Sequence, residues 1–217
     1  MALAMLAVLL AIGTWQIERL HWKERILARI AHAEAAPPAP LASEPDPFSK
    51  VQVTGHLRPD LAATYGADVR ETPKGTQLGA DLIEPLEREA GDPILVDRGW
   101  VPGKPTRPIA QPHGDVTVEG YVRPSETPGL FSATDNVAAR QFFTLNAPAI
   151  GAALGLPRVA PFVLVALGPP PSEGYPEPAH HLPRPPNNHL SYAITWYGLA
   201  VGLVVIFVLW ARRALNE

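Results

Sequence analysis

The chain of 217 residues contains no cysteine. That excludes disulfides, thiolate-held zinc and cysteine nucleophiles. It also has no run of basic residues of the kind that tracks phosphates, and its net charge is −3. Nothing points to a nucleic-acid partner. Enzyme signatures are missing too. There is no Gly-x-Ser-x-Gly, no His-Glu-x-x-His, no phosphate-cradling Gly-x-x-x-x-Gly-Lys and no dinucleotide fingerprint. No pair of carboxylates is spaced for catalysis, so no enzymatic activity is expected. What the chain has in excess is proline: 26 residues, about twice the usual share. They cluster, as in linkers and turns.

Charge is absent altogether from Leu190 to Trp210. At 1.5 Å per residue such a run crosses a hydrocarbon core of roughly 30 Å. It ends at Arg212-Arg213, as a membrane helix does on meeting headgroups. Residues 189–210 are therefore expected as a transmembrane helix, followed by a short tail over 211–217. Its first turns are unusually polar and aromatic, with His189, Ser191, Tyr192, Thr195, Trp196 and Tyr197. On a helix, His189, Tyr192 or Ala193, and Trp196 share one face.

Residues 1–17 are apolar apart from Thr14 and Gln16 and form a short first span. No Lys or Arg precedes the run, and no small-x-small site follows it directly, so an uncleaved anchor is expected rather than a signal peptide. Ile17, Leu20, Leu27 and Ile30 continue the helix as an amphipathic stalk over 18–36. It serves either to carry the span away from the lipid or to dock a membrane partner. Trp15 and Trp22 are natural interface residues, set beside Arg19 and Lys23. A proline-rich linker follows over 37–48.

Residues 49–168 read as a β-rich domain. Strand alternation is visible over 50–57, 77–85, 92–97, 115–122, 141–145 and 161–167, with one short helix over 147–156. Strands joined by Gly- and Pro-rich turns, without long helices between them, imply a mainly antiparallel α+β sheet or barrel. A second proline-rich linker, 169–188, leads to the terminal span. The fold class is thus a membrane protein in which two transmembrane helices flank a soluble β domain. Both termini lie on one side of the membrane and the domain on the other. Flanking charge does not choose the side, because Arg212 and Arg213 oppose Arg19, Lys23, Arg25 and Arg29.

Three places can carry chemistry. Asp97-Arg98-Gly99-Trp100 follows a strand and makes either a binding site or an internal ion pair with a core anchor. His180 and His181 are adjacent in a proline-rich stretch and are expected to be solvated, with a metal site as the alternative. His189 enters a span, where polar residues mark function. It is either an axial haem ligand with aromatic neighbours for a flat macrocycle, or an interfacial histidine capped by Asn187 and Asn188.

Taken together, the motifs resemble a known family. Gly13-x-Trp15-Gln16-x-x-Arg19-x-x-Trp22-Lys23 is similar to the first-span exit of the surfeit locus protein 1 family, assembly factors of cytochrome c oxidase. Residues 96–102, Val-Asp-Arg-Gly-Trp-Val-Pro, resemble its mid-domain signature, which usually has Asn where Asp97 stands. Asn187-Asn188-His189-Leu190-x-Tyr192-Ala193-x-Thr195-Trp196-Tyr197 resembles its second-span signature. One element departs: Phe142-Phe143-Thr144-Leu145-Asn146 stands where the family often has Trp-x-x-x-Asp. The resemblance implies a bacterial inner-membrane protein with a periplasmic domain and cytoplasmic termini. It implies transient binding of haem a, with His189 on the iron and Tyr192 and Trp196 shaping the pocket. Trp15, Gln16, Arg19, Trp22, Lys23, Arg98, Gly99 and Trp100 are then partner-facing or structural. The implied partners are the oxidase catalytic subunit, a haem a synthase and membrane lipid. The alternatives are an oxidase-subunit scaffold that holds no haem and, more distantly, a membrane enzyme that modifies haem.

Overall fold

A computed structural model describes residues 1–72, 75–171 and 174–216. Ser172 and Glu173 of the second proline-rich segment and Glu217 of the tail lie outside the described residues, as do Pro73 and Lys74. The chain divides into two compact units, one of the terminal helices and one of residues 33–182.

The terminal unit contains α1 (Ala2–Ala35) up to His32, and α3 (His189–Asn216). Span and stalk are one continuous helix, because nothing between Thr14 and Ala35 is a helix breaker. Both helices are long and apolar enough to cross a membrane. Along α3, Val201, Val204, Val205, Ile206, Phe207, Val208 and Leu209 are all exposed. Lipid accommodates such a surface and water does not.

In the β domain, β1 (Ala39–Pro40), β2 (Lys50–Leu57), β3 (Ala63–Thr72), β4 (Gly75–Glu87), β5 (Ile94–Pro102) and β6 (Asp115–Pro124) precede β7 (Gln141–Phe142). Then come α2 (Ala147–Ala153) and β8 (Phe162–Ala166). The five strands β2-β6-β8-β5-β4 close into a barrel through the pairs His56↔Glu87 and Leu57↔Leu86. Barrel neighbours are antiparallel except β5 and β8, which run parallel. Alternation builds the core. Val51, Val53, Leu57, Leu86, Ile94, Val96, Val122, Phe162 and Leu164 form one cluster. Ile83, Leu95 and Val163, out of phase with their strand neighbours in that cluster, pack instead with Phe142, Leu145, Ile150 and Leu154 around α2. Asn146 caps α2, its side-chain oxygen accepting the Ala149 N–H at 3.0 Å.

The structure departs from the sequence reading in several places. β3 carries no clear alternation, because a bulge between Tyr65 and Asp68 shifts its register. The strand expected over 141–145 stops at Phe142. There the Phe143 N–H turns to Asp135 Oδ1 at 2.6 Å and Leu145 bonds to Glu126. The strand expected to end at Asp97 runs on to Pro102. Within the two proline-rich segments, Ala39 and Pro40 pair with β2, and residues 174–182 form a strap on the domain. The strap is fixed by backbone bonds Trp100 N–H to Glu177 O and Glu177 N–H to Trp100 O, both 2.9 Å. Tyr175 N–H also bonds to Pro108 O, at 2.9 Å.

A candidate ligand site between the terminal helices

Helix α1 buries Leu9, Gly13 and Gln16, at steps of four and three residues, and α3 buries Ala193 and Ala200. Small residues let helix backbones approach closely within a membrane. At Gly13 the space is taken by Tyr197: a Cβ there would lie 3.0 Å from the tyrosine ring. Thr14 Oγ1 and the Tyr197 hydroxyl are 3.1 Å apart. Replacing Gly13 by valine is therefore expected to push α3 away and to weaken the helix pair by about 1–3 kcal/mol. The check is a double-cysteine cross-link between the helices, which should fall in yield relative to the same pair on the Gly13 background.

One turn further along, His189 Nδ1 lies 2.7 Å from Gln16 Oε1. An amide oxygen only accepts, so the imidazole Nδ1–H is the donor. In the neutral imidazole the other ring nitrogen, Nε2, then keeps its lone pair. Gln16 is only 9 % exposed and His189 is half-buried. Two residues upstream, the Asn187 side-chain oxygen is buried without a hydrogen-bond partner among the described residues. Ser191 and Thr195 spend their hydroxyls on Asn188 O and Ser191 O, at 2.8 and 2.9 Å. Trp196 is half-buried and Tyr192 is exposed. Of the other α1 residues singled out, Trp15 and Trp22 are exposed, with the Arg19 guanidinium 3.9 Å over the Trp22 ring, and Lys23 is half-buried.

The Arg98 group sits in the domain and makes interior structure. Arg98 donates to Glu84 Oε2 at 2.9 Å and to Ala110 O at 2.8 Å. Its ion-pair partner is therefore Glu84 and not the adjacent Asp97. Burial raises the Glu84 carboxyl and the Arg98 charge opposes that rise. Arg98 also forms part of the wall of an open cavity of about 310 Å³ at one end of the barrel, lined largely by aliphatic side chains and prolines. Trp100 is fully buried, donates to Asp68 O at 3.2 Å and meets Tyr175 edge-on at 6.2 Å. Gly99 takes φ +111°, and a Cβ there would fall 2.1 Å from Glu177 O, so only glycine admits the strap. His180 and His181 are exposed, and no cluster among the described residues could hold a metal ion.

Residues 3–201 match the model of the SURF1 family. The chain belongs to the SURF1 family. It is 32% identical to a SURF1-like protein of Rickettsia conorii over 95% of this chain and 88% of that one. Surfeit locus protein 1 of Homo sapiens is 29% identical over 94% of this chain and 73% of its own length. That of Xenopus tropicalis is 27% identical over 95% and 72%. In this SURF1 family member the matched region takes in Gln16 and His189, so the bond between them lies within the shared part. The sequence singled out both residues but not their pairing, since they stand 173 positions apart. The available signal was a glutamine inside an apolar span, where an amide needs a partner.

Proposed function

We propose that this SURF1 family member is a membrane-anchored assembly factor for cytochrome c oxidase. It receives haem a from its synthase, holds it at His189 and passes it to the catalytic subunit. The domain faces the periplasm of a bacterial inner membrane, and both termini face the cytoplasm. No covalent bond is made or broken, so the protein acts as a chaperone.

The observation that supports the reading most directly is the His189–Gln16 bond. Histidines that ligate iron commonly donate their second ring N–H to an oxygen, which fixes the tautomer and raises ligand basicity. His189 has that arrangement, with Nε2 left over as the iron ligand. When bound, haem supplies the cargo chemistry of a reversible axial bond. His189 supplies the nitrogen, Gln16 orients the ring, Asn187 offers an unpaired acceptor, and Tyr192 and Trp196 supply aromatic surface at the membrane edge.

The test is co-expression with a haem a synthase, purification in mild detergent and absorption spectra of wild type, His189→Ala and Gln16→Leu. Wild type is expected to carry haem a, and His189→Ala to lose it or change its ligation. Gln16→Leu is expected to bind about 10–100-fold more weakly. If both come out colourless, the protein is a scaffold without haem, and if they are equally coloured, His189 is an interface residue and not the iron ligand. Turnover of haem o or haem a would instead mark an enzyme.

A further inference from the structure

One edge of the β domain is open. β3 pairs with β4 on one side and with β7 on the other only at Thr64 and Tyr65. The bulge between Tyr65 and Asp68 then carries the strand onward, and residues 68–72 have no strand on their outer side among the described residues. Which backbone groups face that edge follows from β4. The Leu78 carbonyl accepts the Gly103 N–H at 2.9 Å, on the side away from β3. Leu78 is therefore a non-hydrogen-bonded partner of Val69, and Val69 points its own N–H and C=O outward. By alternation Glu71 does the same. Val69 is 57% exposed, and Leu78 across from it is 62% exposed.

We infer that this edge is the contact of a homodimer, in which β3 of two copies pair antiparallel about a two-fold axis at Val69. The register is self-complementary. Val69 meets Val69 of the second copy as a hydrogen-bonded pair, and Asp68 meets Arg70 twice, once on each side of the axis. Within one chain Arg70 already bonds to Asp68 at 2.9 Å and lies 3.9 Å from Asp81 and 3.8 Å from Glu177. Pairing joins those charges into one network across the axis without opposing two of the same sign. An axis moved between Val69 and Arg70 would instead set Asp68 against Glu71, like against like, which is unfavourable. The contact is isologous, as closed dimers require. Two copies held in one membrane meet at a high effective concentration, so a small interface suffices.

The chain has no cysteine, so a single introduced thiol reports its own surroundings. In the pair, the two Val69 Cα atoms lie about 5.5 Å apart, within the roughly 4.4–6.8 Å a disulfide spans. The Leu78 positions, one strand further out in each copy, lie about 14 Å apart. Full-length Val69→Cys and Leu78→Cys, both at exposed sites, are oxidised in membranes with copper phenanthroline. Most of Val69→Cys is expected to shift to a disulfide-linked dimer, while Leu78→Cys stays monomeric. On the Val69→Cys background, Asp68→Arg should abolish the dimer and adding Arg70→Asp should restore it. Equal cross-linking at the two positions, none at either, indifference to the charge swap, or a Val69→Cys adduct with a different protein would each overturn the homodimer.

Discussion

Placing a methyl group on Gly99 is expected to destabilise the β domain by about 3–5 kcal/mol, combining left-handed backbone strain, lost strap bonds and a disturbed core at Trp100. Alanine at φ +111° is strained whatever its surroundings, and here its Cβ would also overlap the Glu177 carbonyl. The strap must then lift, which breaks the two 2.9 Å backbone bonds between Trp100 and Glu177 and uncovers the Trp100–Tyr175 contact. Hydrogen exchange in detergent locates the damage. In Gly99→Ala the amides of Tyr175, Glu177 and Ala179, which bond to Pro108, Trp100 and Ala166, should lose protection first. Ladder amides of β2 and β6 should keep theirs until global unfolding. Unchanged protection over 175–179, with an unchanged unfolding midpoint, would show that the strap does not depend on this glycine.

This position also shows where sequence reading stops. Asp97-Arg98-Gly99-Trp100 stands out as a motif, but the reason for its glycine lies at Glu177, in a proline-rich stretch that reads as a linker. Proline erases the periodicity by which strands are recognised, and the strap owes its order to backbone bonds with β5, which leave no local trace. β2 was legible because Val51, Val53 and Leu57 keep a strict period of two. β3 was not, because a bulge puts Tyr65 and Val69 out of phase and the strand lies on an edge where few side chains are buried. At the terminal helices the residues were visible and their partnership was not. Gln16 and His189 each looked unusual for a span, and only antiparallel packing of α1 on α3 makes each the answer to the other.

Asp97→Asn is expected to reduce the domain's loss of stability between acid and neutral pH. Asp97 is 3% exposed, and its Oδ1 accepts the Gly99 N–H at 3.0 Å. Burial first, and the negative charge of Asp81 second, push its carboxyl up to about 7. An unfolded aspartate titrates at about 3.9. Between those two values the folded protein holds a proton that the unfolded chain has released. The contribution of Asp97 is therefore complete below about pH 4, declines as pH rises through 7 and is gone above it, a span on the order of a few kcal/mol. Asparagine keeps the shape and the carbonyl oxygen for the Gly99 N–H but cannot ionise. It is also the residue usual in the family signature that residues 96–102 resemble. Unfolding midpoints from pH 5 to 9 should fall for wild type and fall less for Asp97→Asn, which keeps the raised Asp81 and Glu84 carboxyls, the two curves meeting on the acid side. Asp97→Ala should lie below both on the acid side, since it leaves the buried Gly99 N–H without an acceptor. Parallel curves for wild type and Asp97→Asn would mean that Asp97 is already ionised in the folded protein at acid pH. The carboxylate would then have to be held by the Arg70 and Arg123 charges, which favour its ionised form.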